Sequence, residues 1–78
     1  MIYYVALPFT SEEGGGLAPG QAIECPSGAA AIRRAEAIAL HETNAGAVAF
    51  SRSGDPNLGE FEDAVILKSF GEVPEDFR

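Results

Sequence analysis

The sequence predicts a single α+β domain in which one helix covers one face of a four-stranded antiparallel sheet. A chain of 78 residues has room for one domain, and an apolar fraction of 46% is typical of a soluble globular protein. Segments with strand-like composition occur in pairs on either side of one segment with helical periodicity. Two hairpins that flank one helix form an antiparallel sheet, so the predicted order is β-β-α-β-β within one domain, residues 1–78.

The first strand is predicted over residues 2–9, where aromatic and β-branched side chains dominate. Both of its alternating side-chain sets are apolar, so we expect this strand inside the sheet and not at its edge. The two sets are Ile2, Tyr4 and Ala6, and Tyr3, Val5 and Leu7. Residues 10–20 include three consecutive glycines and are predicted to be a loop. A short second strand is predicted over residues 21–25.

The helix is predicted over residues 28–44. Ser27 is the expected N-cap, because its hydroxyl can accept from the free N–H groups of the first turn. Gly46 lies where a left-handed stop would end the helix. One stripe of small and aliphatic side chains is expected to face the sheet: Ala31, Ile32, Ala35, Ile38 and Ala39. Because the stripe is mostly alanine, the helix can approach the sheet closely but buries little area per residue.

The rest of the chain is predicted to form a strand over residues 45–51, a turn-rich connection over 52–60, a strand over 61–70 and an irregular tail over 71–78. Val73 and Phe77 are the tail residues expected to pack against the domain. One helix covers only one face of a sheet, so one set of first-strand side chains remains as an exposed apolar strip. Such a strip favours a homodimer or a protein partner.

The charge balance excludes several classes of function. Five Lys and Arg against twelve Asp and Glu give a net charge of −7, which disfavours direct binding to nucleic-acid phosphates and to anionic membranes. One cysteine cannot form an internal disulfide, and the sequence has no Cys/His cluster for a metal, so no cofactor is predicted. With a free cysteine and no basic leader at the N-terminus, we expect a cytoplasmic protein.

Two motifs resemble a catalytic pair and a calcium-binding loop, but structural roles explain both of them better. Cys25 directly precedes the helix and could act as a nucleophile with His41 as its base, but the rise of the helix puts the two about 20 Å apart. An enzyme that uses Cys25 is therefore the weakest alternative. The run Asp55-Pro56-Asn57 begins like a calcium loop, but the later ligand positions do not match. We interpret it as a turn.

The C-terminal third is the most acidic part of the chain. Between residues 54 and 76 there are seven acidic residues and one basic residue, Lys68. The acidic residues are Asp55, Glu60, Glu62, Asp63, Glu72, Glu75 and Asp76. Solubility is the ordinary role of such charge, but a negative face can also steer a protein toward a basic partner surface. On a surface that normally holds nucleic acid, these carboxylates would stand where phosphates lie.

Two resemblances bear on function. Residues 22–27 (AIECPS), 33–37 (RRAEA) and 46–56 (GAVAFSRSGDP) resemble small uncharacterised proteins of high-GC alphaproteobacteria and their phages. The size, acidity and α+β organisation are similar to those of phage-encoded anti-CRISPR proteins that block type I Cascade complexes. This second resemblance implies binding to a basic, nucleic-acid-handling surface of Cascade and a block of target DNA binding. It implies no catalytic residue.

We therefore predict a non-enzymatic protein-binding inhibitor of the anti-CRISPR type, with the seven acidic residues as its contact set. The predicted partner is a protein with a basic surface, and the resemblance to anti-CRISPR proteins names a Cascade subunit as the candidate. The alternative is a small bacterial interaction module that binds a partner through the open sheet face, with Tyr3, Tyr4 and Phe50 as anchors.

Overall fold

A computed structural model of the chain, which describes residues 1–55 and 57–77, shows an α+β fold with an antiparallel sheet. In chain order the elements are β1 (Ile2–Ser11), β2 (Leu17–Pro19), β3 (Ile23–Cys25), α1 (Gly28–Ala39), β4 (Gly46–Asp55), β5 (Glu60–Phe61), β6 (Val65–Gly71) and one 3-10 turn (Glu75–Phe77). The predicted fold class is confirmed. The predicted number of strands is wrong, because the described residues form six strands in the order β-β-β-α-β-β-β.

The two additional strands arise where the chain folds back on a longer neighbour. β1 runs to Ser11, and β2 pairs with its last three residues inside the segment predicted to be a loop. Gly14 and Gly15 close this hairpin with φ angles of 94° and 99°, a conformation that favours glycine. The strand predicted over residues 61–70 is interrupted, so it forms the short β5 and the longer β6.

β1 and β4 form the centre of the sheet. They pair in antiparallel register from Ile2 opposite Ser53 to Phe9 opposite Gly46. β2 and β3 both pair with β1, whereas β5 and β6 both pair with β4. The predicted internal position of the first strand is therefore confirmed.

The helix begins as predicted but ends earlier. The Ser27 side chain accepts a hydrogen bond from the backbone N–H of Ala30 at 3.1 Å, which confirms the N-cap. α1 ends at Ala39 instead of residue 44. Beyond its end, the His41 N–H and the Asn44 side-chain amide donate to the carbonyl oxygen of Ile38 at 3.1 and 2.9 Å, which satisfies a terminal acceptor. The left-handed stop predicted at Gly46 is wrong, since Gly46 is the first residue of β4 and has no positive φ.

The core between the helix and the sheet consists of small side chains. Its five fully buried residues are Ala6, Ala31, Ala35, Ala47 and Ala49. Alanine on both surfaces lets the helix lie close to the sheet, as the sequence predicted. The predicted helix stripe is confirmed, because Ile32, Ile38 and Ala39 also pack against this cluster.

A second core lies on the opposite face of the sheet. Phe9, Val48 and Val73 are buried there, each 2% exposed or less. Phe77 packs against this cluster with its ring centroid 5.3 Å from that of Phe9. The expected packing of Val73 and Phe77 is confirmed, so the C-terminal segment covers one end of the face that the helix leaves open.

Candidate protein-binding site

The hairpin formed by β4 and β5 projects beyond the end of β1. The paired register of β1 with β4 ends at Ser53, although the Gly54 N–H still donates to the carbonyl oxygen of Met1 at 2.9 Å. On the other edge of β4, its last two residues pair with β5. Its turn is held by Asp55, whose carboxylate accepts from the backbone N–H of Asn57 at 2.9 Å and whose carbonyl accepts from that of Leu58 at 3.1 Å. The turn prediction is confirmed for these residues, while Pro56 lies outside the described residues.

Four of the seven predicted contact residues meet at this hairpin. Asp55 and Glu60 are directly opposite each other across the two strands. Glu62 extends the pairing, because its N–H donates to the carbonyl oxygen of Ser53 at 2.8 Å, and Asp63 follows it. All four side chains are exposed. We call this group, Asp55, Glu60, Glu62 and Asp63, the acidic hairpin.

The other three predicted contact residues lie at the opposite end of the sheet. Gly71, which directly precedes these residues, pairs with Gly46, the first residue of β4. Asp55 of the acidic hairpin is the last residue of the same strand. Ten residues of strand separate the two ends by about 30 Å. We call the exposed residues that follow Gly71, namely Glu72, Glu75 and Asp76, the acidic tail. The structure therefore divides the seven carboxylates into two groups and does not join them in one surface.

Arg52 is built into the hairpin without pairing with its carboxylates. Its Nε donates to the backbone carbonyl oxygen of Glu62 at 3.0 Å, and its guanidinium carbon lies 5.2 Å from the centroid of the Phe61 ring. Phe61 also lies beside Tyr3, with 6.2 Å between ring centroids. These contacts fix the hairpin while leaving its four carboxylates exposed to solvent. The sequence patterns did not point to Arg52 and Phe61, although Arg52 precedes the acidic run and Phe61 lies within it.

An apolar cleft of about 370 Å³ lies beside the hairpin on the face opposite α1. It is lined by Tyr3, Val5, Ala22, Glu24, Phe50, Arg52 and Phe61. Two of the alternative anchors, Tyr3 and Phe50, line this cleft. The prediction is wrong for Tyr4, because Tyr4 points to the other face and packs against the core under the helix. Alternation along β1 requires this, since neighbouring side chains of a strand face opposite sides.

The structure does not bring Cys25 and His41 together. Cys25 is half-buried before α1, with Sγ 3.6 Å from the carbonyl oxygen of Ile23. His41 follows the other end of the helix, where its Nδ1 lies 3.4 Å from the hydroxyl of Thr43. Twelve helical residues, about 18 Å, separate the two ends. Within the described residues, no three His, Cys, Asp or Glu side chains are grouped closely enough to hold a metal ion.

Comparisons with protein-family models, with curated proteins and with solved structures each found no match. Across residues 1–55 and 57–77, no helix is both long enough and apolar enough to cross a membrane.

Proposed function

We propose that this chain is a non-enzymatic inhibitor that binds a protein partner by placing its acidic hairpin on a basic, nucleic-acid-binding surface. The observation that carries the proposal is the direct pairing of Asp55 with Glu60. Like charges directly opposite in a sheet destabilise the fold. The Asp55 carboxylate is used in the turn, whereas Glu60 has no such structural use among the hydrogen bonds of the described residues. A partner that supplies cations to the pair accounts for a carboxylate at position 60.

The geometry of the hairpin suits this role. It projects past β1, and Arg52, Phe61 and Tyr3 hold it in place. A preformed charged surface binds with a smaller loss of conformational freedom than a flexible one, and it accelerates encounter with a partner of opposite charge. The acidic hairpin thus offers four exposed carboxylates in a short stretch of chain, a substitute for the phosphates of a nucleic acid.

The first partner to test follows from the resemblance in size, acidity and fold to phage-encoded anti-CRISPR proteins. On this proposal the chain acts in the cytoplasm of a bacterial host. There it occupies a basic surface of a type I Cascade complex and prevents the complex from binding its target DNA. Occupation of the surface is sufficient for inhibition, so no catalytic residue is needed.

The acidic tail provides a matched control for a test of this proposal. One variant combines Glu60→Lys, Glu62→Lys and Asp63→Lys, and the other combines Glu72→Lys, Glu75→Lys and Asp76→Lys. Both change the net charge equally, and all six side chains are exposed. We expect the hairpin variant to bind purified Cascade at least about 100-fold more weakly, because each lost charge pair is replaced by repulsion. The tail variant should retain most of its affinity and its inhibition of target DNA binding.

The salt dependence of binding gives a second criterion. Affinity that depends on charge complementarity should fall steeply as ionic strength rises. Equal losses in the two variants would mean that net charge alone matters and would contradict a role for the hairpin. Binding that is insensitive to salt and lost on Tyr3→Ala would favour the alternative module that uses the open sheet face.

A further inference from the structure

The helix covers only part of its own face of the sheet. Its first residue, Gly28, lies over Tyr4 and Leu67, since a Cβ at position 28 would stand 3.7 Å from the Tyr4 ring and 3.4 Å from Leu67 Cδ1. Along β4, Ala49 packs under the helix, whereas Ser51 is already level with Tyr4. The helix therefore begins over this row, and the face between Ser51 and the acidic hairpin lies beyond it.

Exposed apolar side chains stand on this uncovered part of the face. Side chains alternate along a strand, so Ile2 shares the face of Tyr4, and Val65 shares the face of Ser51, with which it pairs. Ile2 is 56% exposed and Val65 61%. They stand on strands about 10 Å apart, and between them β4 presents only Ser51 and Ser53. We call this shallow surface, formed by Ile2, Ser51, Ser53 and Val65, the serine groove.

Carboxylates close one end of the serine groove. Alternation along β4 puts Asp55 on the same face as Ser53. Glu60 lies opposite Asp55, and the Glu62 N–H donates to the Ser53 carbonyl oxygen, so both belong to this face as well. A cleft of about 270 Å³ at this end is lined by Ser53, by the three acidic residues and by Met1. Even with an amino group at Met1, negative charge exceeds positive charge in this cleft.

The basic side chains of the neighbouring elements lie away from these carboxylates. By alternation Arg52 is on the opposite face of β4. Lys68 is opposite Ala49, about 20 Å along β4 from the acidic end. Arg33 and Arg34 of α1 line a different cleft, beside β3. The serine groove is therefore apolar toward the helix and negatively charged toward the hairpin.

We propose that the serine groove receives a segment of the basic partner in which apolar side chains and cations form two adjacent blocks. The apolar block lies over the two serines, between Ile2 and Val65, and the Lys or Arg block meets the carboxylates, since complementary charge fixes the register of an interface. This inference rests on the proposed function, because the same partner contacts the acidic hairpin. A second copy of this chain, with a net charge of −7, would bring further negative charge to the face.

The experiment uses two capped peptides of equal charge, Lys-Lys-Lys-Gly-Leu-Leu and Lys-Lys-Lys-Gly-Ala-Ala, titrated into the full chain at low ionic strength. We expect the leucine peptide to bind at least about fivefold more tightly, because burial of its side chains is favourable. It should shift the methyl resonances of Ile2 and Val65 but not those of Val5, which lines the cleft on the other face. Both peptides should shift the amides of Glu60 and Glu62.

Two variants locate the preference. Ile2→Thr combined with Val65→Thr makes both walls of the groove polar and keeps side chains that favour strands. It should abolish the preference for leucine and leave the affinity for the alanine peptide unchanged. Leu40→Thr changes an apolar side chain that is 82% exposed after the far end of α1 and should leave the preference unchanged.

The outcomes separate the two proposals. Equal affinities for the two peptides, a preference that survives the double variant, or shifts at Val5 without shifts at Ile2 and Val65 would overturn the groove inference, even if Glu60 and Glu62 respond. Shifts at Ile2 and Val65 that appear with rising protein concentration alone would assign the groove to a second copy and would also overturn it. Absence of shifts at Glu60 and Glu62 with both peptides would contradict the acidic hairpin as a site for basic partners.

Discussion

Gly46→Ala is expected to destabilise the fold by about 3 kcal/mol, because its added methyl group has no room. A Cβ at position 46 would stand 2.5 Å from the carbonyl oxygen of Phe70 and 2.7 Å from the amide nitrogen of Glu72. Both obstacles are backbone, so no side-chain rotation relieves the clash. The opposing Gly71 adopts φ +68°, and a Cβ at position 71 would stand 2.6 Å from the carbonyl oxygen of Ala45. These two glycines let the chain turn at the end of β6 and carry Val73 onto Phe9.

The free energy of unfolding in urea measures this effect. Gly16→Ala is the matched control, since it has no positive φ and its nearest obstacle is the flexible Glu12 side chain at 3.3 Å. The control should change stability by less than about 1 kcal/mol. A loss at Gly46 no larger than that of the control would show that the close approach of the two strand ends is unimportant.

Phe9→Ala is expected to cost about 3–5 kcal/mol, the usual penalty for removing a buried phenylalanine. Phe9 is 2% exposed and joins the sheet to the C-terminal segment through Val73 and Phe77. A domain of this size has a total stability of about 4–12 kcal/mol. The variant should therefore lose a large part of the domain's free energy of unfolding, as measured by urea titration followed by circular dichroism.

Phe61→Ala removes the same side chain from a position that is 46% exposed. Because less apolar area returns to water, we expect this variant to lose less than about half as much stability. If Phe9→Ala were tolerated as well as Phe61→Ala, the second core would contribute little to the fold.

Local sequence patterns predicted the class of the fold and the helix packing. The stripe of Ala31, Ala35 and their neighbours follows from helical periodicity alone, and Ser27 is a cap by its chemistry. The strand number was wrong because β2 and β5 have two or three residues each. Strands of that length are stabilised by the long neighbours with which they pair, so their own composition does not reveal them.

The sequence predicts which acidic residues belong to the candidate site but not how they are grouped in space. The sequence shows that seven carboxylates follow Gly54, but their division into two groups depends on the pairing of β4 with both β5 and β6. Asp55 and Glu60 lie directly opposite each other because the length of the turn between them sets the register of β4 with β5. Nothing in the residue pattern assigns Tyr4 rather than Tyr3 to the helix face, because both alternating sets of β1 are apolar.

The most direct test of the acidic hairpin is the partner affinity of the Glu60→Lys variant, measured beside its free energy of unfolding. Lysine opposite Asp55 replaces repulsion with attraction, so the fold should become more stable by about 0.2–1 kcal/mol. If Glu60 serves binding, affinity for the basic partner should nevertheless fall at least about tenfold. An affinity that stays constant while stability rises would contradict the proposal, because the carboxylate at position 60 would then serve neither the fold nor the partner.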